Sequence, residues 1–247
     1  MITAERLDPI FTAAGSDYDR EALRLHLERY EFAATLVADK RVVDCACGTG
    51  YGSEMLALAG AAEVIGVDID DAAVSFAREN HSHERVSYQI SDASTFNPPF
   101  APDVWISLET VEHLVDPRAY LRAAYDRLAP GGLLIASVPT TVSTDGNPFH
   151  RTDFTRRSWR RLLASTGFEA ENELIQVHRF RVRQIFGGKR GERQRQIRRN
   201  LLGYYVSHPG VAWARFALTV QRGLVHEYTT VVARRSPSAG GTAGRLT

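Results

Sequence analysis

The stretch Val42–Gly52, with the sequence VVDCACGTGYG, decides the fold of this chain. Its apolar start is typical of a buried strand, and the residues that follow it, SEMLALAG, are typical of a helix that ends at Gly60. The glycines between them let the backbone approach a ligand and adopt conformations that other residues avoid. The stretch therefore predicts a strand, a ligand-binding loop and a helix, in that order.

The glycines of this loop are spaced as G-x-G-x-G, at positions 48, 50 and 52. A dinucleotide-binding loop carries G-x-G-x-x-G instead and holds a pyrophosphate on the helix N-terminus. Asp44 also ends the strand, where its carboxylate would repel a pyrophosphate and suit a cation. S-adenosylmethionine fits these features, because it has no phosphate and carries a sulfonium and an ammonium group.

Two later strand ends supply the rest of such a ligand site. Asp68 ends the second strand, and a carboxylate there can accept hydrogen bonds from both ribose hydroxyls. Ser91, Asp92 and Ala93 end the third strand and are placed to meet the adenine amino group. Ligands of such sheets bind outside the carboxyl ends of the strands, so these residues are expected on the side of the glycine loop.

The rest of the chain alternates between apolar strands and helices. Strands are predicted in RVVDCACG, EVIGVDI, RVSYQIS, DVWISL, GLLIASVP, FEAENELIQV and EYTTVVARR. Helices are predicted from Asp19 to about Ala38 with Asp17 or Asp19 as N-cap, in DAAVSFAREN, in PRAYLRAAYDRLA, and over Arg156–Ser165 with Thr155 as N-cap. This alternation predicts an α/β fold, a Rossmann-like doubly wound mixed sheet of seven strands.

Three regions are predicted along the chain. Residues 1–40 form an N-terminal arm and helix, residues 41–235 the main domain, and residues 236–247 a Ser/Gly/Ala-rich disordered tail. A helical insertion, residues 178–226, precedes the last strand; its first half is rich in arginine and its second half is apolar and aromatic. The basic half could bind an RNA backbone, grip an anionic substrate or form a solvated face. An acceptor cap or a homodimer contact is the more economical interpretation, and the dimer contact would use Tyr204, Tyr205, Trp213 and Phe216.

The composition is that of an ordinary soluble protein. The 247 residues are 44% hydrophobic and 24% charged with a formal net charge of +1, so no global field points to nucleic acid or a membrane. No apolar run reaches the roughly 20 residues that span a bilayer, and the N-terminus lacks the apolar core of a signal peptide. We therefore expect a cytoplasmic protein without a nucleic-acid or membrane partner, and Cys45 and Cys47 as buried thiols.

With these motifs in order, the chain resembles the class I S-adenosylmethionine-dependent methyltransferases over residues 41–168. The segments DCACGTGYG, GVDID, SDA and LAPGGLLIASVP follow that family's succession, and four weak motifs in order make a strong signal. The resemblance implies S-adenosylmethionine as cofactor. The residues that it assigns to the cofactor are Asp44, Cys45, Gly48, Gly50, Asp68, Ile69, Ser91, Asp92, Ala93 and Leu108. Tyr18, Arg29 and Tyr30 precede the first strand and could close over the cofactor.

The segment SLETVEHL, at the end of the fourth strand, points to a metal. A helix that starts near Glu109 would place Glu109, Glu112 and His113 at i, i+3 and i+4 on one face. Two close glutamates repel each other unless a cation lies between them, and oxygen-rich ligand sets suit Mg²⁺. His150, on the loop after the fifth strand, is a fourth candidate ligand, and Mn²⁺ is an alternative because histidine is not a preferred Mg²⁺ ligand. A metal-free interpretation stays open, with the glutamate serving a helix N-terminus and the histidine a backbone bond.

This E-x-x-E-H pattern with a later histidine resembles two families, the small-RNA 3′-end 2′-O-methyltransferases and the O-methyltransferases of ubiquinone synthesis. Both use a bound metal to hold adjacent hydroxyls of a ribose or a catechol. The resemblance implies that the metal binds two vicinal oxygens and lowers the pKa of one of them, and that His150 or His113 accepts the proton. The other histidines considered are interpreted as solvated or capping residues: His26, His81, His83 and His208.

The succession DCACGTGYGS, SLETVEHL and NPFH is most similar to bacterial methyltransferases of saccharide and natural-product pathways. That resemblance implies O-methylation of a saccharide hydroxyl, with a vicinal diol held by the metal and the 1-OH of a methylated mannoside as one such acceptor. A catechol or polyketide hydroxyl is the second alternative, and an RNA 3′ end the third. An adenosyl-binding regulatory module without activity is the alternative outside enzymes.

Overall fold

A single mixed sheet organises the molecule. In the computed structural model, the described residues are 7–12, 17–141, 147, 149–179, 200–223 and 225–236. The strands are β1 Arg41–Cys45, β2 Glu63–Asp68, β3 Val86–Ile90, β4 Val104–Leu108, β5 Leu133–Pro139, β6 Phe168–Arg179 and β7 Val225–Arg235. Their order is β3-β2-β1-β4-β5-β7-β6, in which β7 pairs antiparallel with β5 and β6 and the other pairs are parallel. The predicted Rossmann-like α/β fold with seven strands is confirmed.

Helices cover both faces of this sheet. They are α1 Pro9–Thr12, α2 Asp17–Ala34, α3 Tyr51–Leu58, α4 Asp71–Asn80, α5 Pro117–Arg127, α6 Arg156–Ser165, α7 Leu201–Ser207 and α8 Pro209–Arg222. Side-chain caps fix several of the starts; at α4 Asp70 accepts the N–H of Ala72, and at α6 Thr155 forms a reciprocal capping box with Ser158. The central strands β1, β4 and β5 are buried along almost their whole length. A ligand is therefore expected to bind at the loops that follow their carboxyl ends.

Two glycines where the chain passes from β1 into α3 are required by geometry; Gly50 precedes α3 and Gly52 lies in its first turn. Gly50 has a φ of +91°, and a Cβ atom there would lie 2.5 Å from Cβ of Ala77 on α4. At Gly52 a Cβ atom would lie 2.0 Å from the ring of Tyr30 on α2. The last glycine of the G-x-G-x-G pattern therefore makes room for α2 against the loop.

Two predicted helix starts are wrong. The helix expected to start near Glu109 is one 3₁₀ turn, Val111–His113, because Glu109 has a left-handed backbone with a φ of +51° and Leu114 is extended. The helix α2 begins at Asp17, so Asp19 lies inside its first turn and is not the N-cap.

The insertion before the last strand is shorter than residues 178–226. The strands β6 and β7 run into it, since His178 pairs with His226 and Arg179 with Val225. Its described part consists of the two helices α7 and α8. The basic segment 180–199 and the tail 237–247 lie outside the described residues. Across the described ranges, no helix combines the length and apolarity needed to cross a bilayer.

Candidate active site

The glycine loop is tied to the end of β2. Ala46 and Gly48 adopt positive φ angles of 60° and 59°. Asp68 accepts the N–H of Gly48 at 2.9 Å through Oδ2 and the N–H of Asp70 at 3.0 Å through Oδ1. A carboxylate offers about four lone-pair sites, so Asp68 can hold the loop and accept from ribose hydroxyls together. The structure thus brings Asp68 to the loop, as the sequence predicts.

Asp44 is buried beneath the same loop. Ser53 Oγ donates to its Oδ2 at 2.7 Å, and the hydroxyl of Tyr30 lies 3.3 Å from both carboxylate oxygens. Burial raises the pKa of Asp44 to about 7, against the hydrogen bonds of Ser53 and Tyr30 and with a further increase from Asp68. A cationic ligand would hold this carboxylate in its ionised form.

The adenine end of the predicted cofactor site lies at the ends of β2 and β3. The backbone N–H of Ser91 donates to the carbonyl of Asp68 at 3.0 Å. Ser91 and Ala93 are half-buried, whereas Asp92 is exposed. Ile69 leaves 68% of its surface exposed beside Asp68, which makes an apolar surface available to a flat ring.

Two further cofactor candidates point their side chains into the core. Cys45 is 1% exposed, and burial raises the pKa of its thiol, which Tyr120 contacts. Leu108 is buried as well, and its carbonyl accepts the hydroxyl of Thr110 at 3.1 Å. If Cys45 meets the cofactor, it does so through its backbone.

A second group of residues meets beyond the ends of β4 and β5. One ligand atom from each of Glu112, His113 and His150 lies within 4.8 Å of the others. Glu112 is fully buried, and neither carboxylate oxygen has a partner in another residue of the described chain. Burial and then Glu109 raise its pKa well above the usual range. A buried carboxylate in this state requires either a proton or a cation.

The two histidines of this cluster are held by their surroundings. Nδ1 of His113 lies 3.2 Å from the carbonyl oxygen of Phe149, so the proton on Nδ1 directs Nε2 to serve as a ligand or base. The rings of His113 and His150 meet edge to face at 4.8 Å. Burial and then His113 lower the pKa of His150 to about 4, so this imidazole is neutral at physiological pH. Neutral imidazole is the form that binds metals.

Glu109 lies near this cluster but takes other partners. It precedes the 3₁₀ turn with a φ of +51°, and its Oε1 accepts the hydroxyl of Ser137 at 2.9 Å. Arg29 NH1 lies 3.8 Å from the same oxygen. The prediction that Glu109 shares a helical face with Glu112 and His113 is therefore wrong, and its role as a ligand stays a prediction.

Arg29 reaches this edge of the sheet from α2. It is 1% exposed, its Nε donates to Gln176 Oε1 at 2.8 Å, and its guanidinium lies 4.6 Å from the ring centre of Tyr228. Its NH1 has no hydrogen-bond partner within the described ranges. Arg29 and Tyr30 thus reach Glu109 and Asp44, which is compatible with the prediction that they close over the cofactor.

His81 is the residue that sequence reasoning missed. It is 5% exposed and not solvated, with Nδ1 2.7 Å from Glu54 Oε2 and Nε2 2.9 Å from Asp8 Oδ2. No local pattern could reveal this arrangement, because Glu54 and Asp8 lie 27 and 73 positions away in the chain.

Comparison with known proteins places this chain in a family. Residues 43–136 match the model of the methyltransferase domain. A relative from Mycolicibacterium smegmatis, described as a probable S-adenosylmethionine-dependent methyltransferase, is 30% identical over 184 residues, which cover 72% of this chain and 68% of the relative. A ubiquinone biosynthesis O-methyltransferase from Ruegeria pomeroyi is 36% identical over 140 residues, which cover 56% of this chain and 52% of the relative.

Solved structures share the fold. The N-methyltransferase NodS from Bradyrhizobium japonicum, solved with S-adenosyl-L-homocysteine, matches with a TM-score of 0.57 at 14% identity, covering 94% of each chain. At this identity the likeness shows the fold alone. The sequence relatives carry the rest of the assignment: this chain belongs to the S-adenosylmethionine-dependent methyltransferases and uses S-adenosylmethionine as its methyl donor.

Proposed function

We propose that the protein is an O-methyltransferase that acts on one hydroxyl of an adjacent pair, with a divalent metal held by Glu112, His113 and His150. The observation that carries this proposal is the buried Glu112 carboxylate, whose two oxygens have no partner in another described residue. Its ligand atom lies within 4.8 Å of one from each histidine. A cation there would satisfy a charge that burial otherwise makes unfavourable.

The donor set fits such a metal. The hydrogen bond from His113 to the Phe149 carbonyl directs Nε2 to the cluster, a common arrangement of metal-binding histidines. One carboxylate and two imidazoles suit Mn²⁺ better than Mg²⁺, which prefers oxygen ligands. When bound, the metal would lower the pKa of a coordinated hydroxyl and orient it toward the methyl group.

Other residues of the chain bind the donor and accept the proton in this proposal. Asp44 faces the charged end of the donor and Asp68 its ribose, so the methyl group is presented at the end of β4, beside the cluster. His150 or His113 accepts the proton that the hydroxyl releases. Methyl transfer then needs alignment and the exclusion of water more than further acid–base chemistry.

Two acceptor classes present adjacent hydroxyls, saccharides and catechols. The resemblance of the sequence motifs favours a saccharide, with the 1-OH of a methylated mannoside as its most specific form. The relative named for ubiquinone biosynthesis supports O-methylation and leaves the acceptor class open. An RNA 3′ end is the third acceptor, and the basic segment that would favour it lies outside the described residues.

Release of S-adenosylhomocysteine from a panel of mannosides, catechols and RNA 3′ ends tests the proposal. We expect turnover with Mn²⁺ or Mg²⁺, loss of turnover in EDTA, and a fall of about 10²-fold or more in Glu112→Gln, which keeps the shape and removes the charge. Glu84→Gln, at a side chain that is 81% exposed, is the matched control and should behave as the wild type. Full turnover in chelator would exclude the metal, and donor binding without turnover on any acceptor would favour a regulatory module.

A further inference from the structure

The helix α8 turns its most apolar side to the outside of the molecule. Trp213, Phe216 and Val220 lie at i, i+3 and i+7 on one side of this helix and are 69%, 59% and 69% exposed. Arg215 lies on the opposite side and is half-buried, with its NH2 3.3 Å from Nε2 of His226 on β7. A helix that only covers a core has the reverse arrangement, with apolar residues inside and charged residues outside.

The helix α7 adds two more exposed apolar side chains. Leu202 and Val206, at i and i+4, are 78% and 76% exposed. One residue, His208, joins α7 to α8, and its ring stacks on that of Tyr204 at 4.3 Å between ring centres. Five of the large apolar side chains that the described chain exposes therefore belong to these two helices. Grouped exposure of this kind marks a contact with another molecule.

The segment of residues 180–224, which includes α7 and α8, is the basic part of an otherwise acidic chain. It holds ten of the 30 lysines and arginines and one of the 29 aspartates and glutamates. Eight of those ten cations fall in residues 180–199, which precede α7 in the sequence and lie outside the described residues. Neither α7 nor α8 contains Asp or Glu. The net charge of +1 thus conceals a separation of charge, and a partner of this segment is expected to be anionic.

Three kinds of partner can be compared with these two properties. A two-fold dimer built on α7 and α8 would bring the same basic segment of both copies together, which is unfavourable. A nucleic acid matches the charge but leaves the exposed leucine and valine side chains without an apolar contact. An anionic lipid surface matches both properties, because its headgroups attract lysine and arginine and the region beneath them accepts tryptophan, phenylalanine, leucine and valine side chains.

We propose that α7 and α8 form a membrane-docking surface, which inserts Trp213, Phe216 and Val220 at the headgroup level of an anionic lipid bilayer. The positive charge of residues 180–224 supplies the attraction, and the apolar side chains supply the contact that salt does not screen. This differs from the expectation of a chain without a membrane partner, which considered the net charge of the whole chain. The inference depends on neither the proposed metal nor the acceptor class.

Flotation of the full chain with lipid vesicles tests the proposal. One set of vesicles contains equal parts of phosphatidylglycerol and phosphatidylcholine, and the other contains phosphatidylcholine alone. We expect binding to the anionic vesicles that is at least about tenfold tighter than to the neutral ones and that weakens as salt is added. Absent binding, or equal binding to the two compositions, would overturn the proposal.

Tryptophan fluorescence reports on the docking surface itself. Of the three tryptophans of the chain, Trp105 and Trp159 are fully buried, and Trp213 is the exposed one. We expect anionic vesicles to shift the emission to shorter wavelength and to protect it from acrylamide in the water, because Trp213 enters the membrane interface. An unchanged emission at saturating vesicle concentration would contradict the proposal.

A double variant separates the apolar contact from the charge. Trp213→Ala with Phe216→Ala keeps every charge and should weaken binding to the anionic vesicles by at least about tenfold, since less apolar area enters the membrane. Ile10→Ala with Leu58→Ala is the matched control, because these side chains are 59% and 70% exposed but lie on α1 and α3. The control should bind the vesicles as the wild type does. Both double variants should keep the Kd of the wild type for S-adenosylhomocysteine, which shows that they are folded.

The double variant also distinguishes a lipid surface from the other two partners. Equal vesicle binding by the wild type and by Trp213→Ala with Phe216→Ala would mean that charge alone explains the binding, and the proposal would be wrong. Gel filtration that shows a dimer only for the wild type, without vesicle binding, would assign the surface to a contact between copies. Tight binding to RNA without binding to vesicles would assign it to nucleic acid.

Discussion

Asp44 sets the charge of the donor site, and its burial makes donor binding sensitive to acid. Burial raises the pKa of Asp44 to about 7, so below this pH a growing fraction of the side chain is neutral. The cationic donor favours the ionised form and must displace a proton to bind. We expect Kd for S-adenosylhomocysteine, whose ammonium group is also cationic, to rise toward about tenfold for each pH unit below 7. Calorimetric measurement of Kd from about pH 5 to pH 7 tests this rise.

Two variants distinguish this loss of donor affinity at acid pH from a general loss of fold. Asp44→Asn should bind weakly and without pH dependence over this range, because no carboxylate remains to titrate. Asp126→Asn removes an exposed carboxylate on α5 and should keep the wild-type profile. If Kd still rises at acid pH in Asp44→Asn, a group other than Asp44 causes the pH dependence.

Part of the candidate metal site could be predicted from the sequence, namely that Glu112, His113 and His150 lie close together. The sequence places these residues after the ends of β4 and β5. Because the carboxyl ends of parallel strands lie at one edge of the sheet, where ligands bind, their proximity could be predicted. The position of Glu109 could not be predicted, because its left-handed backbone and its contacts with Ser137 and Arg29 depend on two other elements. The backbone conformation of such a residue is set by the surrounding structure more than by its own preference.

At the scale of elements, the close packing of α2 on the first turn of α3 predicts the effect of a single added methyl group at Gly52. Gly52→Ala would place Cβ 2.0 Å from the ring of Tyr30, so either the ring or α2 must move. We expect the free energy of unfolding to fall by about 1–3 kcal/mol, as for other overpacked sites. Urea unfolding followed by circular dichroism measures it.

Gly210→Ala is the matched control for this prediction. Gly210 lies in α8, and a Cβ atom there would meet nothing within 4 Å. The same substitution should therefore be neutral or stabilise the protein by up to about 1 kcal/mol, because alanine has fewer unfolded conformations than glycine. Equal losses in the two variants would mean that backbone effects, and not the Tyr30 contact, explain the result at Gly52.

Elements with strong local signals are the ones that the sequence predicts well. The helix α4 and the helix α6 have their predicted bounds, because Asp70 and the Thr155 capping box mark their starts. The segment after β4 lacks such a mark, since Thr110 makes no side-chain cap, and the extended backbone of Leu114 ends it after one 3₁₀ turn. The position of the segment Leu7–Thr12 escaped prediction altogether, since Leu7 contacts Thr49 and Asp8 contacts His81, far along the chain.

At the scale of the whole molecule, the insertion is an addition to a sheet that is complete without it. The strands β6 and β7 already pair up to Arg179 and Val225, so a tight turn could join them directly. The start of β7 lies at the carboxyl edge, because Tyr228 pairs with Pro139 at the end of β5. On α8, Arg215 NH2 lies 3.3 Å from Nε2 of His226, which places this helix at the same edge. The helix α8 therefore lies at the edge of the sheet where the proposed acceptor would enter.

Replacing residues 180–224 by a two-residue Asn-Gly turn should separate the acceptor from the donor. Because Asp44, Asp68 and His81 lie on other elements, we expect the shortened chain to fold and to bind S-adenosylhomocysteine with an unchanged Kd. Methyl transfer to the acceptor found in the panel should fall by at least about tenfold, since lost acceptor contacts weaken binding and alignment. Calorimetry and S-adenosylhomocysteine release measure the two effects on the same preparation. Lost donor binding in a folded chain would assign the insertion to the donor site, and full turnover would leave it without a part in the reaction.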